Sequence, residues 1–301
     1  MTTFWSIWVS VIILGSIFGS WWLLHATRKS QTTDTETERT MGHSFDGIEE
    51  YDNPMPKWWL HLFIGTIFFA LGYLVLYPGL GNYKGLLNWT SAGQHQREVE
   101  LANQMYGPLY AELAQRPISD LAEDPRALKM GQRLFATNCA LCHGSSATGA
   151  MGFPNLTDND WLYGGDPEII KTTITGGRNA MMPARGAAGN LSDAEVSQVA
   201  AYVRSVAGAE DVKPALVESG KTVFEGKGAC FACHGQDATG NQAVGAPNLT
   251  DNTWLYGSTQ QQVEFTIRNG RKGQMPAFEN TLDPEKIHLL AAYVYSLSNK
   301  N

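Results

Sequence analysis

The chain is 301 residues long, with a formal net charge of −7 and only 17% charged side chains. That balance leaves no broad basic face for a nucleic acid. All four cysteines lie in two short motifs, so neither a disulfide framework nor a spare nucleophilic thiol is left over.

Residues 4–24 carry no charged side chain. At about 1.5 Å per residue a helix of this length crosses a bilayer core. Trp5 and Trp8 stand near one end, Trp21 and Trp22 near the other, as an aromatic belt would. A cleavable signal peptide wants a basic start, a shorter apolar core and a small-residue exit. The start MTTFW and the exit WWLLHATRKS fit neither, so residues 1–25 are expected to be an uncleaved anchor. Residues 58–80, again without Lys, Arg or acids, are expected to form a second span ended by Pro78-Gly79. The loop between them, 26–57, carries Arg28, Lys29, Arg39 and Lys57 close to the membrane ends, while the N-terminal flank has no basic side chain. The positive-inside rule makes this loop cytoplasmic and everything after Leu80 periplasmic. Its tract SQTTDTETERT reads as solvated and disordered, and Asp52-Asn53-Pro54 with Pro56 as an extended approach to the second span. His25 and His61 read as interfacial rather than as a pair of b-haem ligands. A connector, 81–126, follows. Within it, 96–115 has helix-spaced apolar residues, and Gly107-Pro108 is a possible break.

The remainder is a repeat, at an offset of 91 to 93 residues from the cysteine motifs onward. Residues 127–209 are answered by 214–301. PNLTDNDWLYGG matches PNLTDNTWLYGS, and LSDAEVSQVAAYV matches LDPEKIHLLAAYV. Two copies make a tandem pair rather than a solenoid, and each is expected to hold its own cofactor. Asp124-Pro125, Ser192 or Asp193, and Asp283-Pro284 signal helix starts. Gly131 is expected to face Tyr202, and Gly220 to face Tyr293, so that the two end helices of each copy cross closely.

The chemistry lies in Cys139-Ala140-Leu141-Cys142-His143 and Cys230-Phe231-Ala232-Cys233-His234. C-x-x-C-H is the attachment signature of a c-type haem. Two thiols become thioethers on the porphyrin and the His ligates the iron beneath it. A redox dithiol or half a zinc site would not need a His after each pair. The expected cofactors are two covalently bound haem c groups, held by Cys139, Cys142, Cys230 and Cys233, with His143 and His234 as proximal ligands. For the sixth position, Gln274-Met275-Pro276 offers Met275. Aligning Arg178 with Arg271 and Pro183 with Pro276 places Met182 on Met275, leaving Met181 as the lesser alternative. A carbonyl at Pro154 or Pro247 is suited to fix the proximal ring. Trp161, Tyr163, Arg178, Trp254, Tyr256 and Arg271 are candidates for the haem surroundings, and core packing is an equal reading for the aromatics. Both haems closed by His and Met imply electron transfer rather than catalysis. The rival classes are a stand-alone membrane dihaem carrier serving a dehydrogenase, and a dihaem enzyme or sensor with one open iron.

The two C-x-x-C-H units, with G-x-x-x-F before and A-A-Y-V after, resemble class I cytochrome c domains. From about residue 43 onward the chain resembles the CcoP/FixP family of cbb3-type cytochrome c oxidase subunits. The resemblance rests on Phe45-Asp46-Gly47-Ile48, Glu50, Asp52-Asn53-Pro54, Pro56, Trp58-Trp59 and Tyr77-Pro78-Gly79-Leu80-Gly81. The first span is a departure, since many members have only one span. The resemblance implies a mainly α architecture, two N-terminal transmembrane helices followed by two tandem class I cytochrome c domains, in the bacterial inner membrane with the haem domains in the periplasm. It implies a cytochrome c donor, and monohaem and catalytic oxidase subunits as acceptors. It makes the chain an electron-transfer subunit rather than a catalytic centre. The segment 43–59, dense in specific residues, is expected to dock on the oxidase core.

Overall fold

The structure is a computed structural model that describes residues 1–28, 40–51 and 55–298. The polar tract and Asp52-Asn53-Pro54 therefore fall largely or wholly outside the described residues. The elements in chain order are α1 (Thr3–Thr27), β1 (Thr40–Phe45), β2 (Ile48–Tyr51), α2 (Lys57–Leu76), α3 (Ser91–Ala114), α4 (Ile118–Leu121), α5 (Pro125–Asn138) and α6 (Ala140–His143). The chain continues with α7 (Pro167–Gly176), β3 (Arg178–Met182), α8 (Asp193–Val206), α9 (Pro214–Glu225), α10 (Phe231–His234), α11 (Gln260–Asn269), β4 (Arg271–Met275) and α12 (Pro284–Ser298). Two compact units result, Met1–Met105 and Tyr106–Asn301.

In the first unit, α1 and α2 are long and apolar enough to cross a membrane. Only Leu24, Ile67 and Leu74 of their side chains are buried, and most of the rest are exposed, as expected of lipid-facing helices. The two helices pack side by side, with Trp21 edge-on to Phe68. The Asn82 N–H donates to Ser6 Oγ at 2.9 Å, which sets the start of α1 beside the end of α2. Helix α2 ends at Leu76, four residues short of the expected Leu80. The chain then folds back, with Leu86 and Leu87 donating to the carbonyls of Val75 and Leu76. The β1–β2 hairpin is not anticipated by the mainly α reading. Asp46 and Gly47 at its tip have φ of 52° and 83°, the conformation that an Asp-Gly pair favours in a two-residue turn.

Helix α3 runs unbroken through Pro108. In the second unit its last turn buries Leu113 completely. Asp124 caps α5 by accepting from the Arg126 and Ala127 N–H groups, with Pro125 in the first turn. Ser192 and Glu195 close a capping box on α8.

The helices do not pack copy by copy. Helix α12, from the second repeat, lies on α5, α7 and α4. Helix α8, from the first repeat, lies on α9 and α11. The expected Gly131–Tyr202 and Gly220–Tyr293 crossings are therefore corrected. A Cβ on Gly131 would meet Tyr293 Cβ at 2.6 Å, and one on Gly220 would meet Gln198 O at 2.0 Å and Tyr202 Cβ at 2.8 Å. Phe135 contacts Tyr293, and Phe224 contacts Tyr202. The physical reason is chain economy. The repeats offer nearly interchangeable helix faces, and the short joint 207–213 keeps α8 beside α9, its neighbour in sequence.

Two cores follow. One gathers Phe135, Ala147, Ile170 and Ile174 of the first repeat with Leu289, Leu290 and Val294 of the second. The other gathers Leu191, Val196 and Val199 with Phe224, Val263 and Ile267. Strands β3 and β4 pair antiparallel between them, Arg178 opposite Met275 and Met182 opposite Arg271.

Candidate haem sites

Each C-x-x-C-H sits on a single helical turn. The His143 N–H donates to Cys139 O at 3.0 Å, and the His234 N–H to Cys230 O at 2.9 Å. The turn stops at Gly144 and Gly235, with φ of 78° and 80°. The loop then doubles back so that Gly149 donates to His143 O, and Gly240 to His234 O. Only a glycine fits there. Gly149 has φ of 72°, and a Cβ on it would lie 2.4 Å from Phe153 O.

That close approach delivers the proline carbonyls. His143 Nδ1 donates to Pro154 O at 3.0 Å, and His234 Nδ1 to Pro247 O at 3.1 Å. With Nδ1 engaged, Nε2 is the nitrogen left to face a ligand. Burial holds the His234 ring below its ordinary pKa, against the bond to Pro247. A neutral imidazole is the form that binds a metal. Cys139 and Cys230 are half-buried and Cys142 and Cys233 exposed, all unpaired. Burial pushes the Cys139 and Cys230 thiols up to about 11, so neither resembles an activated thiolate.

The surroundings are built twice on one plan. Arg178 donates through Nε and Nη2 to Thr173 Oγ1 at 2.9 and 2.7 Å, and its guanidinium lies 4.4 Å from the Tyr163 ring. Arg271 does the same with Thr266 Oγ1 at 3.0 and 2.7 Å, lying 3.9 Å from the Tyr256 ring. Thr173 and Thr266 are absent from the sequence reading. Their signal was present, because both occupy the same place in a Thr-Ile-x-x-Gly-Arg run. Trp161 and Trp254 pack on the first and second cores respectively. Tyr163 Oη is buried and finds no hydrogen-bond partner among the described residues.

The methionines lie on the paired strands. Met182 faces inward and Met181 is 77% exposed, because alternate strand residues face opposite sides. Met275 packs on the core that holds Cys139, and Met182 on the core that holds Cys230.

Residues 37–84 match the model of the N-terminal domain of cytochrome oxidase-cbb3, FixP. Residues 126–203 and 215–294 each match that of cytochrome c oxidase, cbb3-type, subunit III. The Cbb3-type cytochrome c oxidase subunit CcoP of Rubrivivax gelatinosus is 48% identical over 98% of this chain and 95% of its own length. This chain belongs to the CcoP/FixP family. Other members include the FixP subunit of Bradyrhizobium sp. (strain ORS 278), 41% identical over 89% of this chain and 97% of its own length. The CcoP subunit of Cereibacter sphaeroides is 42% identical over 86% and 94%. The family makes the chain a membrane-anchored cytochrome c component, the electron-transfer part of a cbb3-type oxidase.

The CcoP/FixP assignment implies haem c, and the residues fit it. Among the described residues no three His, Cys, Asp or Glu side chains gather as an all-protein metal site. The donor chemistry of each motif, two thiols and one oriented imidazole, fits such a group. The orphaned Tyr163 hydroxyl, beside Arg178, is suited to a haem propionate.

Proposed function

We propose that the chain carries two covalently attached haem c groups on its periplasmic side and relays electrons from a cytochrome c donor to the oxidase core. Cys139 and Cys142, with Cys230 and Cys233, supply the thioethers. His143 and His234 would hold the iron through one imidazole nitrogen each, and Met182 and Met275 would each add a thioether sulfur. The observation that carries this reading is the doubled constellation of C-x-x-C-H turn, proline carbonyl and inward Met. When bound, the haem supplies a one-electron couple at iron. The protein holds each imidazole in one tautomer, sets a sulfur against it, and surrounds both with apolar side chains that exclude water. With both an imidazole and a thioether engaged, the protein would leave no position for oxygen, so the group would supply electron transfer rather than catalysis. Arg178, Tyr163, Arg271 and Tyr256 are the proposed holders of the propionates.

The orientation rests on Arg28, Lys29, Arg39 and Lys57 in the loop between the spans. It puts both motifs in the compartment where thioether attachment occurs in bacteria, the periplasm bounded by the inner membrane. The proposed acceptors are the monohaem cytochrome subunit and, beyond it, the catalytic subunit that reduces oxygen to water. The exposed hairpin bears Phe45, Ile48 and Tyr51 on its surface, and a lone two-stranded hairpin is marginal in water. That supports a docking role for this segment against the core.

The test is purification of the chain in mild detergent, followed by spectra of the reduced protein with carbon monoxide. Co-elution with an oxidase core and two low-spin haems indifferent to carbon monoxide are expected. A lone dihaem chain would instead indicate a free-standing carrier. Stoichiometric carbon monoxide binding by the native chain would indicate an open-iron enzyme or sensor.

A further inference from the structure

We propose that Thr173 and Thr266 are positioning residues. Each fixes the guanidinium that follows it, Arg178 or Arg271, in the orientation that turns its remaining N–H groups toward a haem propionate. The proposal rests on the reading of both arginines as propionate holders and names what aims them.

The argument begins with the partners of the arginines. Among the described residues, Arg116, Arg185, Arg204 and Arg268 each pair with a carboxylate. Arg178 and Arg271 pair with none there, although both are half-buried. A charge taken partly out of water without a countercharge is destabilising. Its recurrence at matching positions of both copies points to an anionic ligand.

What each arginine does have is a neutral hydroxyl. Thr173 Oγ1 accepts from Nε and Nη2 of Arg178 at 2.9 and 2.7 Å. Thr266 Oγ1 accepts from the same two atoms of Arg271 at 3.0 and 2.7 Å. The hydroxyl leaves the charge intact and occupies one side of the planar fork. One face of the guanidinium lies on the ring of Tyr163 or Tyr256. With a side and a face engaged, the plane can neither tilt nor turn. The end-on pair, Nη1 and Nη2, is left to meet a carboxylate through two bonds.

The local chain is built for this contact. Gly177 and Gly270 have φ of 68° and 69°, a conformation that favours glycine. They reverse the chain between α7 and β3 and between α11 and β4, which brings each arginine back over the threonine five residues earlier. On α7 the neighbouring Thr172 and Thr175 donate to the carbonyls of Glu168 and Lys171, as helical threonines often do. Thr173 turns its hydroxyl to Arg178 instead.

The experiment is a redox titration of the full haem-loaded chain in mild detergent, followed at the reduced α band. A guanidinium beside a propionate opposes the extra positive charge of oxidised iron. Arg178→Gln should therefore shift one of the two reduction waves to lower potential. Thr173→Val keeps the shape of the side chain and removes its oxygen. It should shift the same wave in the same direction by a smaller amount, and Thr173→Ser should restore the wild-type wave. In an Arg178→Gln background, Thr173→Val should add no further shift, because the threonine acts only through the arginine. The Thr266 and Arg271 variants should repeat the pattern on the other wave. An undiminished shift from Thr173→Val in the Arg178→Gln background would make Thr173 a packing residue and overturn the proposal. So would a Thr173→Val wave at its wild-type position while Arg178→Gln moves. Waves unmoved by both Arg178→Gln and Arg271→Gln would instead refute the arginines as propionate holders. Should Thr173→Val not load haem, the Thr266 set decides by the same outcomes.

Discussion

The crossing of helices between repeats can be tested without any reference to haem ligands. Phe135 is 2% exposed on α5, and its ring centroid lies 5.5 Å from that of Tyr293 on α12 at an interplanar angle of 56°. Tyr202 contacts Phe224 instead, with centroids 5.2 Å apart. Phe135→Leu removes part of a filled core position, so it should cost about 1–2 kcal/mol, less than the ~3–5 of Phe→Ala. Tyr293→Leu, at a half-buried side chain, should cost about 1 kcal/mol, and Tyr202→Leu, at a buried one, about 1–2 kcal/mol. A tilted aromatic pair adds about 0.5–1.5 kcal/mol beyond the area it buries. The double-mutant cycle of Phe135 with Tyr293 should return a coupling of that size. The cycle of Phe135 with Tyr202 should be additive to about 0.3–0.5 kcal/mol, as for residues sharing no contact. The assay is guanidinium unfolding of the haem-loaded chain in mild detergent, followed at the Soret band. Coupling between Phe135 and Tyr202, with none between Phe135 and Tyr293, would refute the exchanged packing and restore helix pairing within each repeat.

Gly220→Ala should destabilise the chain by about 1–3 kcal/mol despite a better helix propensity, because its Cβ would strike the Gln198 carbonyl. A thermal melt at the Soret band reads this, and an unchanged midpoint would mean that α8 and α9 are not so close. Glu195 is held down to about 2, first by the Lys227 ammonium and then by the Ser192 N–H and hydroxyl. Its folded value lies below its ordinary 4.5, so its contribution is complete above pH 4.5 and is lost as pH falls toward 2. The melting difference between wild type and Glu195→Gln should shrink across that window, and a difference that grows in acid would contradict it. Asp124→Ala removes a helix cap and the partner of Arg116, and should lower stability by about 1–2 kcal/mol, read by the same melt. Replacing 43–57 with a Gly/Ser linker of equal length that keeps a basic flank should leave both haems attached and reducible while the chain is lost from purified oxidase. Survival of assembly and oxygen consumption would reduce this segment to a spacer.

The sequence by itself determined whatever depends on residues close together in the chain. Two uncharged stretches long enough to cross a bilayer need no tertiary partner to be recognised, because lipid takes the place of a core. The C-x-x-C-H spacing carries its own chemistry within one helical turn. The Asp124-Pro125 helix start is likewise local, since the capping atoms lie two and three residues away. The choice of Met182 over Met181 followed from aligning the repeats, and strand alternation now places the first inward and the second in solvent. The Asp46-Gly47 turn was equally local, but a hairpin this short lacks the length for its alternation to stand out.

Tertiary structure alone decided which copy completes which. Two repeats with the same apolar faces and the same Gly–Tyr crossings are compatible with packing within copies or between them. No pattern in either repeat distinguishes Gly131 against Tyr202 from Gly131 against Tyr293. The decision falls to terms that span the chain: the short joint holding α8 beside α9, the β3–β4 pairing, and the backbone bonds from Phe278 to α7 and from Arg185 to α11. Partners 91 to 93 residues apart are chemically alike, so only the path of the backbone between them could tell them apart.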